Sequence, residues 1–275
     1  MHRRTALLML PAFAMLAVVF LGPLAWFFAQ TLFLQNDASL LAQIREVIAS
    51  RVMLDAIVTT NWISLLVSAS TLLMGYPIAY YLANRRGLRF TLVVFCIIVP
   101  YFTSIIVRTY SWMVLLGRTG LINRVLQDTG LTDAPLHLLY NKTAIVIGMT
   151  YVLLPYMVLT LFSAMRSIDR NLLLAARGMG ANGMMTFCRV YFPLSRDGVI
   201  SGALIVFILS IGFFITPALM GGPSDVMVAM LIERSVELTL DWSTASVMSL
   251  YLLAVTLVLY AIYYRVTDLR RLMGA

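Results

Sequence analysis

Charged side chains are scarce in this sequence of 275 residues, and so are cysteine and histidine. Only 12% of the residues are charged while 61% are hydrophobic, whereas a soluble domain has about 25% charged and roughly 45–50% apolar residues. This composition excludes a water-soluble globular protein, because folding alone cannot remove so much apolar surface from water. We therefore expect an integral membrane protein with little length left for a separate soluble domain.

The small number of cysteines and histidines argues against several kinds of site. Cys96 lies in an apolar stretch and Cys188 in a basic loop, so neither a disulfide nor a metal site is expected. His2 and His137 are isolated and indicate no catalysis. The 17 methionines form no cluster with histidine or cysteine, so we interpret them as packing residues.

Six stretches are long and apolar enough to cross a hydrocarbon core of about 30 Å. They lie at about 5–33, 56–83, 90–115, 143–165, 198–219 and 244–264. The predicted fold is all-α, a polytopic bundle of six transmembrane helices forming a single domain over residues 1–275. The first stretch resembles a secretory signal, but its apolar run is longer than a signal's hydrophobic region of roughly 7–15 residues. We interpret it as an uncleaved span.

The distribution of charge orients the predicted bundle. If both termini are cytoplasmic, the cytoplasmic segments carry thirteen arginines against three aspartates, whereas the opposite segments carry six basic and nine acidic residues. Short cytoplasmic loops of membrane proteins are enriched in arginine and lysine. The sequence therefore predicts cytoplasmic termini, and the net charge of +8 needs no nucleic-acid partner, leaving membrane lipid as its counterpart.

Proline falls inside five of the six predicted spans. The positions are Pro11, Pro23, Pro77, Pro100, Pro155 and Pro217. Each proline removes a backbone donor and tends to kink a helix. Two interpretations stay open: the ordinary use of proline in membrane helices, or a bundle that bends.

The longest feature of the predicted cytoplasmic side is the loop 166–197, between the fourth and fifth spans. Ser167 or Asp169 can cap a helix that covers 171–179, and Gly180 suits the left-handed residue that ends it. A second short helix is expected over 183–191, stopping at Pro193.

The same loop has the composition of a docking element. Ala175 and Ala176 are small and let another surface approach the backbone closely. Arg177 and Arg189 keep the loop in water. The sequence therefore predicts that another protein binds here.

The loop resembles the cytoplasmic signature of binding-protein-dependent ABC importer permeases, which reads Glu-Ala-Ala, three residues, Gly, nine residues, Ile-x-Leu-Pro. It maps onto Leu174-Ala175-Ala176, Gly180 and the segment 190–193 that ends at Pro193, with the spacing intact. The chain departs from the signature at Leu174, where the family has glutamate. An ion pair from that position is therefore not expected, although Asp169 and the arginines can still supply charge.

Three further segments, 100–123, 151–169 and 216–225, resemble the spermidine/putrescine-type subgroup of these permeases. The resemblance implies the type I permease fold and pairing with a second, homologous permease in a heterodimer. It also implies two cytoplasmic ATPases that grip the helix around 174–180 and a periplasmic solute-binding protein. The chain lacks the phosphate loop Gly-x4-Gly-Lys-Ser/Thr, so it is expected to be no enzyme and to hold no cofactor, with ATP and Mg²⁺ on the ATPase.

Residues of the third and fifth spans are candidates for the translocation path. They are Tyr101, Thr103, Arg108, Tyr110, Trp112 and Phe214. Arg108 is notable because an ionisable side chain within a span is costly and often functional. It can extend to the outer interface, pair with Asp225 or Glu233, or act as a gate or solute contact.

The predicted function is passage of a small solute, most naturally a polyamine or related amine, across a bacterial inner membrane. Aromatic faces suit such a cation, but no acidic residue falls clearly in mid-membrane, and an arginine suits a carboxylate better. An amino-acid derivative or an anionic solute is therefore the alternative within the class. An intramembrane lipid-modifying enzyme and an ion-coupled secondary transporter are the alternatives outside it.

Overall fold

The computed structural model describes residue 11, residues 13–29 and residues 40–273, and the regular structure in this part is helical. Helix α1 spans Phe13–Ala29 and contains a π-helical turn at Ala17–Leu21. The ends of the first predicted span, 5–10 and 30–33, lie outside the described residues.

The other helices follow in chain order. They are α2 (Leu40–Ala49), α3 (Arg51–Asn84), α4 (Leu88–Ile98), α5 (Ile105–Leu116), α6 (Leu121–Asp128), α7 (Lys142–Arg166), α8 (Arg170–Gly178), α9 (Gly183–Ile211), α10 (Ile215–Met220), α11 (Val228–Glu237) and α12 (Trp242–Met273).

Four of the described helices are long and apolar enough to cross a membrane, namely α3, α7, α9 and the Trp242–Ala261 part of α12. A fifth span results if the bent pair Leu88–Phe102 and Ile105–Asp128 is counted as one. Helix α1 is apolar but shorter. The predicted count of six spans stays a prediction.

The predicted span 90–115 is bent by 105° rather than straight. A 3₁₀ turn, Val99–Phe102, follows α4, and the backbone at Thr103 is extended. Pro100 cannot donate a backbone hydrogen bond, and its own carbonyl accepts a hydrogen bond from the Thr103 hydroxyl at 2.6 Å. The local chemistry of proline therefore accounts for the break.

Helix α9 differs from the expected short helix because it continues past Pro193 to Ile211. A π-helical turn, Phe187–Tyr191, precedes the proline, and the N–H of Phe192 donates to the carbonyl of Phe187, five residues back. The wider turn lets the helix absorb a residue without an N–H donor. At its other end, α9 stops before the predicted boundary near 219, and a break separates it from α10.

The chain divides into two compact units. In the smaller unit, residues 1–55 and 231–253, the rings of Phe27 and Trp242 meet edge to face at 6.3 Å. There, Asp241 accepts a hydrogen bond from the N–H of Thr244 at 3.0 Å and so caps α12.

The larger unit, residues 56–230 and 254–275, has α7 as its most buried helix. Met157 and Leu161 of α7 are fully buried. Helix α9 approaches α7 so closely that a Cβ atom added at Gly198 would lie 2.5 Å from the Cβ of Ala164. Small residues thus set the separation of these two helices, as they do in many membrane proteins.

Candidate functional site

Helix α8 is the short helix that the loop sequence predicts, and both of its ends are closed as expected. The Asp169 carboxylate accepts a hydrogen bond from the N–H of Asn171 at 2.9 Å, so Asp169, rather than the alternative Ser167, is the cap. Gly180 has a φ of +89°, the left-handed conformation that glycine adopts at little cost. The N–H of Ala181 then donates to the carbonyl of Ala176 at 3.1 Å, which completes the turn.

The two faces of α8 have different surroundings. Ala176 is buried and Leu173 is half-buried, and Leu173 packs against the main core. Of the two small residues expected to face a partner, Ala176 therefore packs against its own chain, because it lies on the same helical face as Leu173. Ala175 is exposed.

Large apolar side chains are exposed on α8 and directly after it. Leu174 is 63% exposed and Met179 is 84% exposed. Leu172 and, at the start of α9, Met184 are also exposed. We call the exposed side chains of Leu172, Leu174, Ala175, Arg177, Met179 and Met184 the coupling surface. Large exposed apolar side chains beside a charged residue are typical of a protein-binding surface.

The connection from α8 to α9 is short and well capped. The Asn182 side chain accepts a hydrogen bond from the N–H of Met185 at 2.8 Å, and its carbonyl accepts one from the Thr186 hydroxyl at 2.9 Å. Thr186 is buried. These contacts fix the start of α9 close to the end of α8.

An aromatic cluster, which sequence analysis missed, joins the start of α9 to α3. It consists of Tyr76, Tyr80, Phe187, Tyr191 and Phe192. The rings of Tyr80 and Tyr191 lie 4.9 Å apart, and those of Tyr76 and Phe187 lie 6.2 Å apart, both edge to face. Such pairs contribute about 0.5–1.5 kcal/mol each beyond the area they bury.

The helical spacing of residues 76 and 80 was the available signal for this cluster. It indicates one aromatic face on α3 but does not identify the facing helix. On α9, the π-helical turn brings Phe187 and Tyr191 to a stacked separation of 6.0 Å. Pro193, which belongs to the family signature, follows the cluster directly and is exposed.

A cavity of about 410 Å³ lies beside the bend between α4 and α5. Its lining residues are Val99, Pro100, Thr103, Val107, Arg108, Ser111, Trp112, Leu115 and Tyr151. Three of the predicted path residues, Thr103, Arg108 and Trp112, therefore share one cavity. The rings of Trp112 and Tyr151 meet edge to face at 5.6 Å.

The other three predicted path residues do not line this cavity. The Tyr101 hydroxyl lies 2.9 Å from the hydroxyl of Tyr156. Tyr110 and Phe214 are exposed, and Phe214 lies at the break between α9 and α10.

Arg108 is half-buried, and its Nε atom is buried without a hydrogen-bond partner among the described residues. The possible partner Asp225 is buried in its own loop, where it accepts a hydrogen bond from the N–H of Gly222 at 3.1 Å. None of the described residues that line the cavity is acidic. The cavity thus has one cationic group among apolar and aromatic walls.

Comparison with known proteins gives a family match over most of the chain. The family described as "Binding-protein-dependent transport system inner membrane component" matches residues 73–271. The chain is 35% identical over 198 residues to the spermidine/putrescine transport system permease protein PotB of Haemophilus influenzae, which covers 72% of this chain and 69% of the relative. It is 32% identical over 206 residues to the protein of the same name from Escherichia coli, with 75% of each covered.

A solved structure has the same fold. A bacterial alginate ABC transporter in complex with an alginate pentasaccharide-bound periplasmic protein contains a chain that superposes with a TM-score of 0.70. The two chains are 17% identical, and the superposition covers 94% of this chain and 92% of the other. The family match includes the coupling surface, residues 73–84 of α3 and the cavity beside Arg108.

Proposed function

Since this chain belongs to the family of binding-protein-dependent transport system inner membrane components, we propose that it passes a polyamine, such as putrescine or spermidine, across the bacterial inner membrane. It is a permease subunit of an ABC importer and not an enzyme. The predicted permease class and its all-α fold are thereby confirmed, and the alternatives of a lipid-modifying enzyme and an ion-coupled transporter are set aside.

The coupling surface is the observation that carries the mechanism. It places exposed leucine and methionine side chains on a short helix that is held at both ends, and this fits a groove on a separate ATPase. Two such ATPases would hold ATP and Mg²⁺, one on this chain and one on a second, homologous permease. The arginine-rich segments that flank α8 support a cytoplasmic location for this surface and for both termini.

Movement of the coupling surface would reach the spans through two connections. Helix α8 leads into α9 through the Asn182 cap, and the aromatic cluster joins α9 to α3. Closure of the ATPases around nucleotide would move α8, and the attached spans would follow as a packed unit. The solute would then see an outward or an inward opening, according to which state the ATPases favour.

The names of the relatives support a polyamine as the solute. Trp112 and Tyr151 offer aromatic faces to an ammonium group in the cavity. The acidic groups that a polyamine requires would come from the second permease, since none of the described lining residues is acidic. A periplasmic binding protein would select and deliver the solute.

A second candidate solute is an amino-acid derivative or another molecule with a carboxylate. Arg108 favours it, because its Nε atom lies buried in the cavity wall without a partner among the described residues. A guanidinium group binds a carboxylate through charge-assisted hydrogen bonds.

Reconstitution tests the proposal and separates the two candidates. The full chain, its partner permease, the ATPase and the binding protein are placed in vesicles, and uptake of radiolabelled putrescine is measured with and without ATP. We expect ATP-dependent uptake of putrescine. Uptake of a labelled amino acid in its place would support the second candidate, and uptake that needs no ATPase would contradict the proposal.

A further inference from the structure

A second, smaller cavity lies where α3, α7 and α8 end or begin, away from the proposed solute path. Its volume is about 110 Å³, several times the roughly 15 Å³ that one water molecule needs. Its lining residues are Ala83, Asn84, Arg85, Arg86, Met165, Arg166, Ile168, Arg170, Leu173 and Tyr191. We call this cavity the arginine pocket.

Four arginines from three separate segments converge on the arginine pocket. Arg85 and Arg86 follow the last residue of α3, Arg166 is the last residue of α7, and Arg170 is the first residue of α8. None of these four forms an ion pair with a described residue, and the Arg166 guanidinium lies over the ring of Phe162 at 5.4 Å. All four arginines are exposed, so water and salt screen part of their mutual repulsion, and an anion among them would relieve the rest.

The carboxylate next to Arg170 in the sequence, that of Asp169, already accepts a hydrogen bond from the backbone. Asp169 precedes Arg170, but its side chain caps α8 through the N–H of Asn171, and it does not line the pocket. None of the described lining residues is acidic.

The position of the pocket indicates the kind of anion. Helices α3 and α7 are both long enough to span the membrane, and the pocket lies at their ends. The end of a helix that spans the hydrocarbon core is expected near the lipid headgroups. Its walls combine the arginines with apolar side chains of Met165, Ile168 and Leu173. A phospholipid presents the same combination, a phosphate followed by apolar chains.

We propose that the arginine pocket binds the phosphate of an anionic phospholipid of the cytoplasmic leaflet. Basic pockets between membrane helices on this side are suited to anionic headgroups. Bound there, the phosphate neutralises charges from α3, α7 and α8 together and holds the coupling helix against its two spans. The choice of leaflet rests on the topology given under the proposed function, whereas the site itself does not depend on which solute is carried.

Lipid binding to the purified full chain tests the proposal. The chain in detergent is titrated with phosphatidylglycerol or phosphatidylcholine, and bound lipid is counted by native mass spectrometry. We expect tighter binding of phosphatidylglycerol. The double variant R85Q/R86Q should weaken that binding by about 10- to 30-fold, since each arginine near the lipid surface contributes a factor of roughly three to five.

The matched control removes the same charge elsewhere on the same side. Arg89 and Arg196 are exposed and do not line the pocket, so the double variant R89Q/R196Q should keep phosphatidylglycerol binding within about twofold. Equal loss in both variants would reduce the effect to overall charge and overturn the site. If R85Q/R86Q does not fold, as judged by gel filtration, R166Q/R170Q replaces it with the same expectation.

Two further measurements test whether a different anion, either free phosphate or an acidic side chain of the ATPase, occupies the arginine pocket. If inorganic phosphate at low millimolar concentration displaces phosphatidylglycerol, while sulfate at equal ionic strength does not, the pocket is a free-phosphate site and the lipid proposal is wrong. If R85Q/R86Q abolishes co-purification of the ATPase while lipid binding is unchanged, an acidic side chain of the ATPase is the occupant. These readouts involve no transport, so a failure of the lipid site and a failure of the polyamine proposal remain distinguishable.

Discussion

The hydroxyl groups of Tyr76 and Ser195 lie 2.9 Å apart and join span α3 to α9 just after the π-helical turn. Ser195 is fully buried, and its hydroxyl also lies 2.9 Å from the carbonyl of Phe192. The contact therefore connects Tyr76 of the aromatic cluster to a buried polar side chain, Ser195, between α3 and α9. It lies on the route proposed above for movement from the coupling surface to the spans.

Tyr76→Phe removes the hydroxyl contact and keeps the ring that packs on Phe187. We expect a loss of about 1 kcal/mol in stability, the usual net contribution of one hydrogen bond, and weaker coupling of ATP hydrolysis to uptake. Thermal unfolding in detergent and the ratio of ATP hydrolysed to solute imported measure the two effects. Tyr81→Phe, on the same helix, is the matched control and should change neither quantity.

Gly180→Pro should abolish solute-stimulated ATPase activity while membrane insertion persists. Proline fixes φ near −65°, whereas Gly180 has a φ of +89°, so the turn that ends α8 cannot form. Gly178→Ala is the control, because a Cβ atom there meets nothing within 4 Å and the residue is the last of the helix. Unchanged stimulation in Gly180→Pro would argue against the coupling role of this turn.

Leu174→Ser should weaken binding of the ATPase without affecting the permease itself. The side chain is 63% exposed, so its loss is expected to change stability by no more than about 0.5 kcal/mol, whereas a central apolar contact in an interface is worth about 2 kcal/mol. Co-purification of the ATPase with a tagged permease measures the loss. Leu88→Ser, at a leucine that is 76% exposed outside the coupling surface, should leave co-purification intact.

Arg108→Gln separates the two candidate solutes. A polyamine does not need the guanidinium group, so putrescine uptake should stay within about threefold, since no attractive ion pair is lost. Uptake of a carboxylate solute would instead fall by at least about 30-fold, as expected from losing a charge-assisted contact of roughly 2 kcal/mol. Ser111→Ala, in the same cavity, is the control for altering a polar side chain of the cavity wall, and it should leave the uptake of either solute nearly unchanged.

Gly198→Ala should destabilise the packing of α7 against α9. The added methyl group would lie 2.5 Å from the Cβ of Ala164, and overpacking of this kind costs about 1–3 kcal/mol. Ala164→Gly in the same chain should recover part of the loss by removing the opposing methyl group. Thermal unfolding of the single and double variants measures the recovery, and strictly additive losses would contradict this account of the contact.

Much of the local structure of the loop 166–197 could be predicted from the sequence. A cap at Ser167 or Asp169 and the left-handed Gly180 were predicted because each depends on residues within one helical turn. The outward face of Leu174 and the inward face of Ala176 were not predicted, because the surroundings of a helical face depend on what packs against it. The continuation of α9 past Pro193 was also missed, since a π-helical turn has no simple sequence signal.

The amino-acid sequence by itself determined that the chain is a helical membrane protein and that a short helix, followed by a left-handed glycine, lies within the loop 166–197. These properties depend on composition and on neighbours along the chain. That the arginines gather on one side of the membrane stays a prediction. Only the tertiary structure decided that Tyr76 and Tyr80 meet Phe187 and Tyr191, that Arg108 lines a cavity with Trp112, and that four arginines from three segments converge. Such contacts join residues far apart in sequence, and the packing of the helices, rather than any local preference, determines which of them form.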